Sequence, residues 1–281
     1  MATTDLPAVA REHVGEAVDV ARKVIERARN ERVTFLAAAV AYFVAVSLLP
    51  LAVVLVVAAS FLGSRDLALA IIAQATELLG QEGSALLYTV LTEQATGAQV
   101  TLVGLPVVLW GALRTFRGVD AAFEEVYGAE ERDSLPEALA DAAVVFTTVI
   151  LGAALMIGIG FAIGATTTIG NILEPVALFV GLAVVFFPMY YLFPNVDPDP
   201  TEVLPGTLFT AATWTLFQVG FQSFVADLGG ASAAGAFGTV LLVLTWLYGG
   251  SLLLLIGATI NAVMAERVTV EVEDDLFPEY G

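Results

Sequence analysis

VTFLAAAVAYFVAVSLLPLAVVLVVAASFLGS, residues Val33–Ser64, lies between Arg32 and Arg65 and contains no charged side chain. About 20 apolar helical residues already cross the hydrocarbon core of a bilayer. A soluble domain of this size has no use for such a segment, so it reads as a membrane-spanning helix. Two irregularities interrupt it. Tyr42 puts a hydroxyl at membrane depth. Pro50 lacks a backbone N–H and its ring crowds the carbonyl of Val46, so a kink there would free carbonyl groups near midspan.

Further uncharged stretches follow at Gln94–Leu113, Ala142–Leu173, Pro175–Val196, Val203–Ala226 and Leu228–Ala265. Gly229, Gly230 and Gly235 mark a loop at the start of the last one. The expected fold is all-α: a polytopic membrane protein with six spans near 35–60, 98–115, 143–165, 173–193, 204–226 and 238–264. The division of the chain is a cytoplasmic amphipathic helix over 1–32, a transmembrane domain over 33–266 and an acidic cytoplasmic tail over 267–281.

Composition agrees. The 281 residues are 58% hydrophobic and only 14% charged, against about 25% charged in ordinary globular domains. The polar, charged first 30 residues lack the early apolar run of a cleaved leader. The chain has no cysteine, which excludes disulfides, thiolate catalysis and cysteine metal sites. The net charge of −18, with Lys23 as the only lysine, suggests a salt-adapted host in which hydrated carboxylates maintain solubility. Such a protein gains stability in molar salt.

Arg11, Arg22, Lys23, Arg27, Arg29 and Arg32 precede the first span, Arg114, Arg117 and Arg132 lie between spans two and three, and Arg267 follows span six. Arg65 alone falls on the opposite side. The positive-inside rule therefore places both termini in the cytoplasm of a cell-membrane protein. Over residues 8–30, Val14, Val18, Ala21, Ile25 and Ala28 share one helix face. Two readings stand side by side: a helix lying on anionic lipid, with its basic residues toward headgroups, or a cytoplasmic helix packed on the bundle. Residues 66–96 read as an external helical hairpin turning at Gly80 and Gly83. The segment Asn195–Glu202 is a proline-broken cytoplasmic loop.

Several ordered motifs carry a family resemblance. They are LAAAVAYFVAVSLLPL at Leu36–Leu51, LWGALRTFRGVDAAFEEVYG at Leu109–Gly128, YYLFPN at Tyr190–Asn195, LPGTLFTAATWTLFQVGFQ at Leu204–Gln222, and FGTVLLVLTWLYGGSLLLLIGATINAV at Phe237–Val263. In order and spacing, over roughly 30–265, the chain resembles the YihY/BrkB family of multispanning membrane proteins, also known as ribonuclease BN-like. The resemblance implies an inner-membrane protein concerned with envelope or lipid transport. It supplies no catalytic residue.

The ribonuclease label meets a chemical objection. A His-rich two-metal site cannot be built from one imidazole, and His13 is the only histidine. Asp120, Glu124 and Glu125 could hold Mg²⁺ only as a carboxylate site, yet they sit beside basic residues at a membrane edge, where solvated, ion-paired charge accounts for them. An RNA-binding surface is basic, and this chain is acidic. No P-loop, Rossmann or GxSxG fingerprint is present. No catalytic residue, metal or cofactor is expected, and no nucleic-acid partner.

Polar groups within the spans are the remaining signals. Arg114, Arg117, Asp120 and Glu124 form either ion pairs along one helix or a cytoplasmic vestibule for a charged headgroup or solute. Trp214, Gln218 and Gln222 recur every four residues in span five, and Asn261 lies in span six. Amides in hydrocarbon need partners. They either bond between helices or line a polar cavity with Tyr42 and the carbonyls freed at Pro50. Two functional readings follow. One is a transporter or lipid-handling protein acting on a lipid or small solute, without an ion-coupling carrier because midspan charges are lacking. The other is a structural or partner-binding membrane protein.

Overall fold

The computed structural model describes residues 8–61, 65–92, 117–129, 140, 143–144, 147–148, 170–194, 196, 198–229 and 235–265. The expected span near 98–115, most of that near 143–165, Arg114 and the tail 267–281 lie outside the described residues. All regular structure among the described residues is helical. The helices are α1 (Ala8–Asn30), α2 (Val33–Phe61), α3 (Arg65–Thr92), α4 (117–127), α5 (Gly170–Leu192), α6 (Leu204–Asp227) and α7 (Gly235–Met264).

Helix α1 gives way to a turn at Arg32, whose φ of 50° is left-handed and disfavoured for any side chain beyond glycine. That residue sets an elbow: the axes of 17–30 and 33–48 diverge by 63°. Beyond it, α2 is apolar on every side, and helical backbone continues through position 50. Helix α6 opens with Pro205 in its first turn, where a missing N–H costs nothing. It closes at Gly229, whose φ of 84° suits glycine.

The expected external hairpin over 66–96 is corrected. Residues Arg65–Thr92 form a single helical element with no loop between two arms. An isolated glycine costs a helix only about 1 kcal/mol. Packing outweighs that cost: Ala68, Ile72 and Leu87 are buried in one cluster with Ala52, Val56 and Ala59 of α2.

A second, larger core gathers the N-terminal half of α2 (Val33, Ala37, Val40), α4 (Val119, Phe123, Val126), α5 (Phe186, Tyr190) and α7 (Leu254, Leu255, Ala258). Phe123 contacts Tyr190 and Phe193 with ring centroids 5.7 and 5.2 Å apart. Helix α1 joins this core through Ala28, and its Val24 is buried as well. Its Arg27 donates from Nε and Nη2 to the carbonyl of Val126 at 3.2 and 3.1 Å, latching α1 to the end of α4.

The outward faces are apolar too. Phe237 of α7 is 78% exposed and Leu216 of α6 is 72% exposed. Among the described residues one helix, Phe237–Met264, is long and apolar enough by itself to cross a membrane. The bent α1–α2 pair passes the same test when taken together.

Candidate functional site

The polar centre of the bundle lies where α5, α6 and α7 converge. Gly206 and Thr210 share one face of α6, while Gly257 and Asn261 share one face of α7, each pair four residues apart. The two glycines let the backbones touch. A Cβ on Gly206 would meet the carbonyl of Gly257 and the Asn261 amide, and one on Gly257 would meet the Thr210 and Tyr190 hydroxyls. This is the small-residue route to close helix packing.

Every buried polar atom of this junction has a partner. The first N–H groups of a helix lack intrahelical acceptors, and the N-cap residue of α6, Val203, offers no side-chain cap. Asn261 of α7 supplies it from the neighbouring helix. Its Oδ1 accepts the Gly206 N–H at 2.6 Å, and its Nδ2 donates to the Val203 carbonyl at 3.2 Å. One turn further, Tyr190 donates its hydroxyl to the Leu254 carbonyl at 2.7 Å and contacts the Thr210 hydroxyl at 2.6 Å. Since the Tyr190 proton is committed to Leu254, Thr210 is the donor between the two hydroxyls or donates to the Leu253 carbonyl at 3.2 Å.

The residues expected to share a cavity are not gathered at one place, although Trp214 and Gln218 both meet Trp246. Asn261 is fully buried in the junction just described. Gln218 accepts the indole N–H of Trp246 at 2.8 Å. Trp214 is half-buried over Gly250, against Phe186 and Trp246 at 5.4 and 6.1 Å between ring centroids. Gln222 is exposed. Tyr42 is exposed on α2 and packs edge-on against Phe43. Position 50 lies in the helical backbone of α2, at the break between the two cores. Of the vestibule set, Arg117 is exposed and Asp120 and Glu124 are half-buried on α4.

Sequence reasoning identified Asn261 but missed Tyr190, Thr210, Gly206 and Gly257 as its companions. The i, i+4 repetition of glycine followed by a hydrogen-bonding residue, in both α6 and α7, was the available signal. It also missed a pocket of about 420 Å³ at the α1–α2 elbow, lined by Ala28, Arg29, Arg32, Thr34 and Phe35.

The chemistry open to the α5–α7 junction is that of neutral hydrogen bonding, which holds helices at fixed distance and register. Among the described residues no three His, Asp or Glu side chains gather as metal ligands. The elbow pocket, in contrast, presents two guanidinium groups and an aromatic ring.

The comparisons with known proteins agree on kinship. A curated protein similar to this chain is the putative ribonuclease-like protein YfkH of Bacillus subtilis (strain 168), 26% identical over 183 residues, covering 58% of this chain and 65% of that protein. The chain thus spans about 65% of the length of the curated relative it matches. No solved structure matches it. The family model for virulence factor BrkB matches residues 24–277, nearly the whole chain, and takes in α2 to α7 with the end of α1. With its helices and its charge-free runs accounted for, the chain belongs to the BrkB family of membrane proteins.

Proposed function

We propose that the chain is a six-span protein of the cytoplasmic membrane, with both termini in the cytoplasm, that handles lipid or another envelope component. The observation that supports it is the character of the outward faces. Phe237, Val240, Leu241 and Leu244 of α7 and Leu208, Leu216 and Val219 of α6 are all exposed. An apolar surface of this extent on a monomer marks contact with lipid or another protein. Helix α7 contains no Asp, Glu, Lys, Arg or His, and neither does α2. Coupling to protons or sodium would need such groups at membrane depth, so a passive or lipid-directed activity suits the bundle better than a pump.

The name of the Bacillus relative raises ribonuclease activity. It is not part of this proposal, because the chain has one histidine and a net charge of −18. A second reading, a structural or partner-binding membrane protein, has a specific observation in its favour: Asn261 and Gln218 are both paired within the helix bundle. Reconstitution in liposomes with labelled lipids and small anions separates the two. Lipid or solute movement above that of protein-free vesicles supports the first reading. A folded, incorporated protein that moves neither supports the second. Single cysteines placed at Gly80 and in the acidic tail test the six-span topology; labelling of both from the same side refutes it.

A further inference from the structure

Helix α1 has two apolar faces, and the bundle covers only one. The inner face carries Val24, Ala28 and the latched Arg27. The outer face carries Val18 and Ile25, both more than half exposed. Arg22 follows Val18 by four residues and Arg29 follows Ile25 by four, so this face places guanidinium groups beside branched apolar side chains. Asp19 and Glu26 lie about a quarter-turn away around the helix.

The outer face runs into the elbow pocket. Arg29 and Arg32 line that pocket together with Phe35, itself 71% exposed on the first turn of α2. Among the described residues Arg22, Arg29 and Arg32 form no ion pair, whereas Arg27, the inward one, bonds to Val126 and Glu31. A helix bent 63° from a span lies closer to the bilayer plane than to its normal. Arg32 holds a left-handed backbone that glycine would adopt without strain, so its guanidinium is kept at a conformational cost.

We propose that this elbow docks onto anionic phospholipid of the cytoplasmic leaflet. Val18, Ile25 and Phe35 enter the acyl-chain boundary, and Arg22, Arg29 and Arg32 bind headgroup phosphates, one of them seated in the elbow pocket. Two features choose lipid over a protein partner. Phe35 is continuous with the span-forming α2, so the surface begins at the bilayer. The interleaving of planar phosphate-binding groups with apolar side chains matches the boundary between headgroup and acyl chain. The proposal rests on the reading of the chain as a membrane bundle and assigns that bundle a lipid class and a site.

The absence of cysteine gives a clean test. The full chain carrying Val18→Cys, labelled with a polarity-sensitive fluorophore, is reconstituted in phosphatidylcholine vesicles and in vesicles of phosphatidylcholine with phosphatidylglycerol. The expected result is a blue-shifted, brighter label that requires phosphatidylglycerol, while the same label at Asp19→Cys stays water-like. Arg29→Gln and Arg32→Gly, added singly, weaken the phosphatidylglycerol dependence about fivefold each. The glycine relaxes the elbow, so a weakened response there is not misfolding. A water-like label at position 18 in co-floating vesicles of both compositions overturns the elbow site alone, and so does an apolar label indifferent to phosphatidylglycerol. Protein that fails to co-float with either vesicle overturns the membrane reading and the elbow site together.

Discussion

Replacing Asn261 by leucine tests whether α7 caps α6. The substitution nearly preserves side-chain shape and removes both hydrogen bonds. On the Val203 side the loss is small, because that carbonyl keeps the Thr207 N–H at 3.1 Å and the Thr207 hydroxyl at 2.7 Å. On the Gly206 side it is large. The Gly206 N–H is buried, sits in the first turn of α6 and has Asn261 Oδ1 as its acceptor at 2.6 Å. A buried donor left unpaired costs about 1–3 kcal/mol, and loss of an N-cap costs about 1 kcal/mol by separate measurement. These describe one interaction and are not summed. Interhelical hydrogen bonds in membranes average less, about 0.6 kcal/mol with a maximum near 1.7. A leucine methyl cannot approach an N–H as closely as the oxygen does, so α6 and α7 must also separate slightly. The expected destabilisation is about 2 kcal/mol, roughly thirtyfold in the folding equilibrium.

Reversible unfolding in mixed micelles measures this, followed by the fluorescence of Trp214 and Trp246, which meet across the same two helices. Hydrogen exchange at the Gly206 amide provides a local readout and should become much faster in the variant. If Asn261→Leu unfolds within about 0.5 kcal/mol of the parent, and the Gly206 amide stays protected, α6 is capped by something other than α7 and the reasoning fails.

Three further outcomes follow from the same geometry. Gly257→Ala forces a methyl onto the Tyr190 and Thr210 hydroxyls and should cost about 1–3 kcal/mol, while Gly220→Ala, with open space around it, should be neutral or slightly stabilising in the same unfolding assay. Arg27→Met removes the charged donor to Val126 and should cost about 1.5–3 kcal/mol, seen as faster proteolysis within α1, whereas Glu31→Gln, which breaks only a 3.5 Å ion pair, should cost under about 0.5 kcal/mol. Thr210→Val should destabilise by about 1–2 kcal/mol, but Thr245→Val, on the exposed side of α7, should not destabilise measurably.

Charge patterning made the long helices legible. The run without charges after Arg32 coincides with α2, and the helix expected over 8–30 coincides with α1. Expected spans near 173–193, 204–226 and 238–264 correspond to α5, α6 and α7, because Pro205, Gly229 and Gly235 punctuate the chain where a helix must begin or end. Helix α3 was misread for a reason of scale. Gly80 and Gly83 each weaken a helix by about 1 kcal/mol, and the apolar contacts with α2 that outweigh them join residues distant in sequence. Of the two readings of α1, packing on the bundle is what Ala28 and Arg27 show, while another part of the helix surface is left uncovered. Its periodicity reported an apolar stripe correctly, but Val18 and Ile25 on that stripe face outward while Val24 faces in. Periodicity says which residues share a face and nothing of what covers it.

The same limit applies to polar residues in the spans, and it explains why the expected cavity set dispersed. A hydroxyl or amide at membrane depth can meet its hydrogen-bonding need in two ways. Ser223, Thr239 and Thr245 turn back to the carbonyl four residues earlier in their own helix, at 3.0, 3.0 and 2.7 Å. Side chains satisfied in this way can face lipid at little cost, so their presence says nothing about a pathway. Tyr190 and Asn261 instead reach the backbone of another helix, and Thr210 does the same. What separates the two groups is the neighbouring backbone's distance, and here that distance is short because glycines stand at 206 and 257. Composition alone ranks Gln222 with Asn261. Adjacency to a glycine one turn away distinguishes them: Asn261 has Gly257, whereas Gln222 has Gln218 at the same spacing. A search for side chains bonded to a neighbouring helix's backbone therefore does better to begin from the small residues, since they set how closely that backbone approaches.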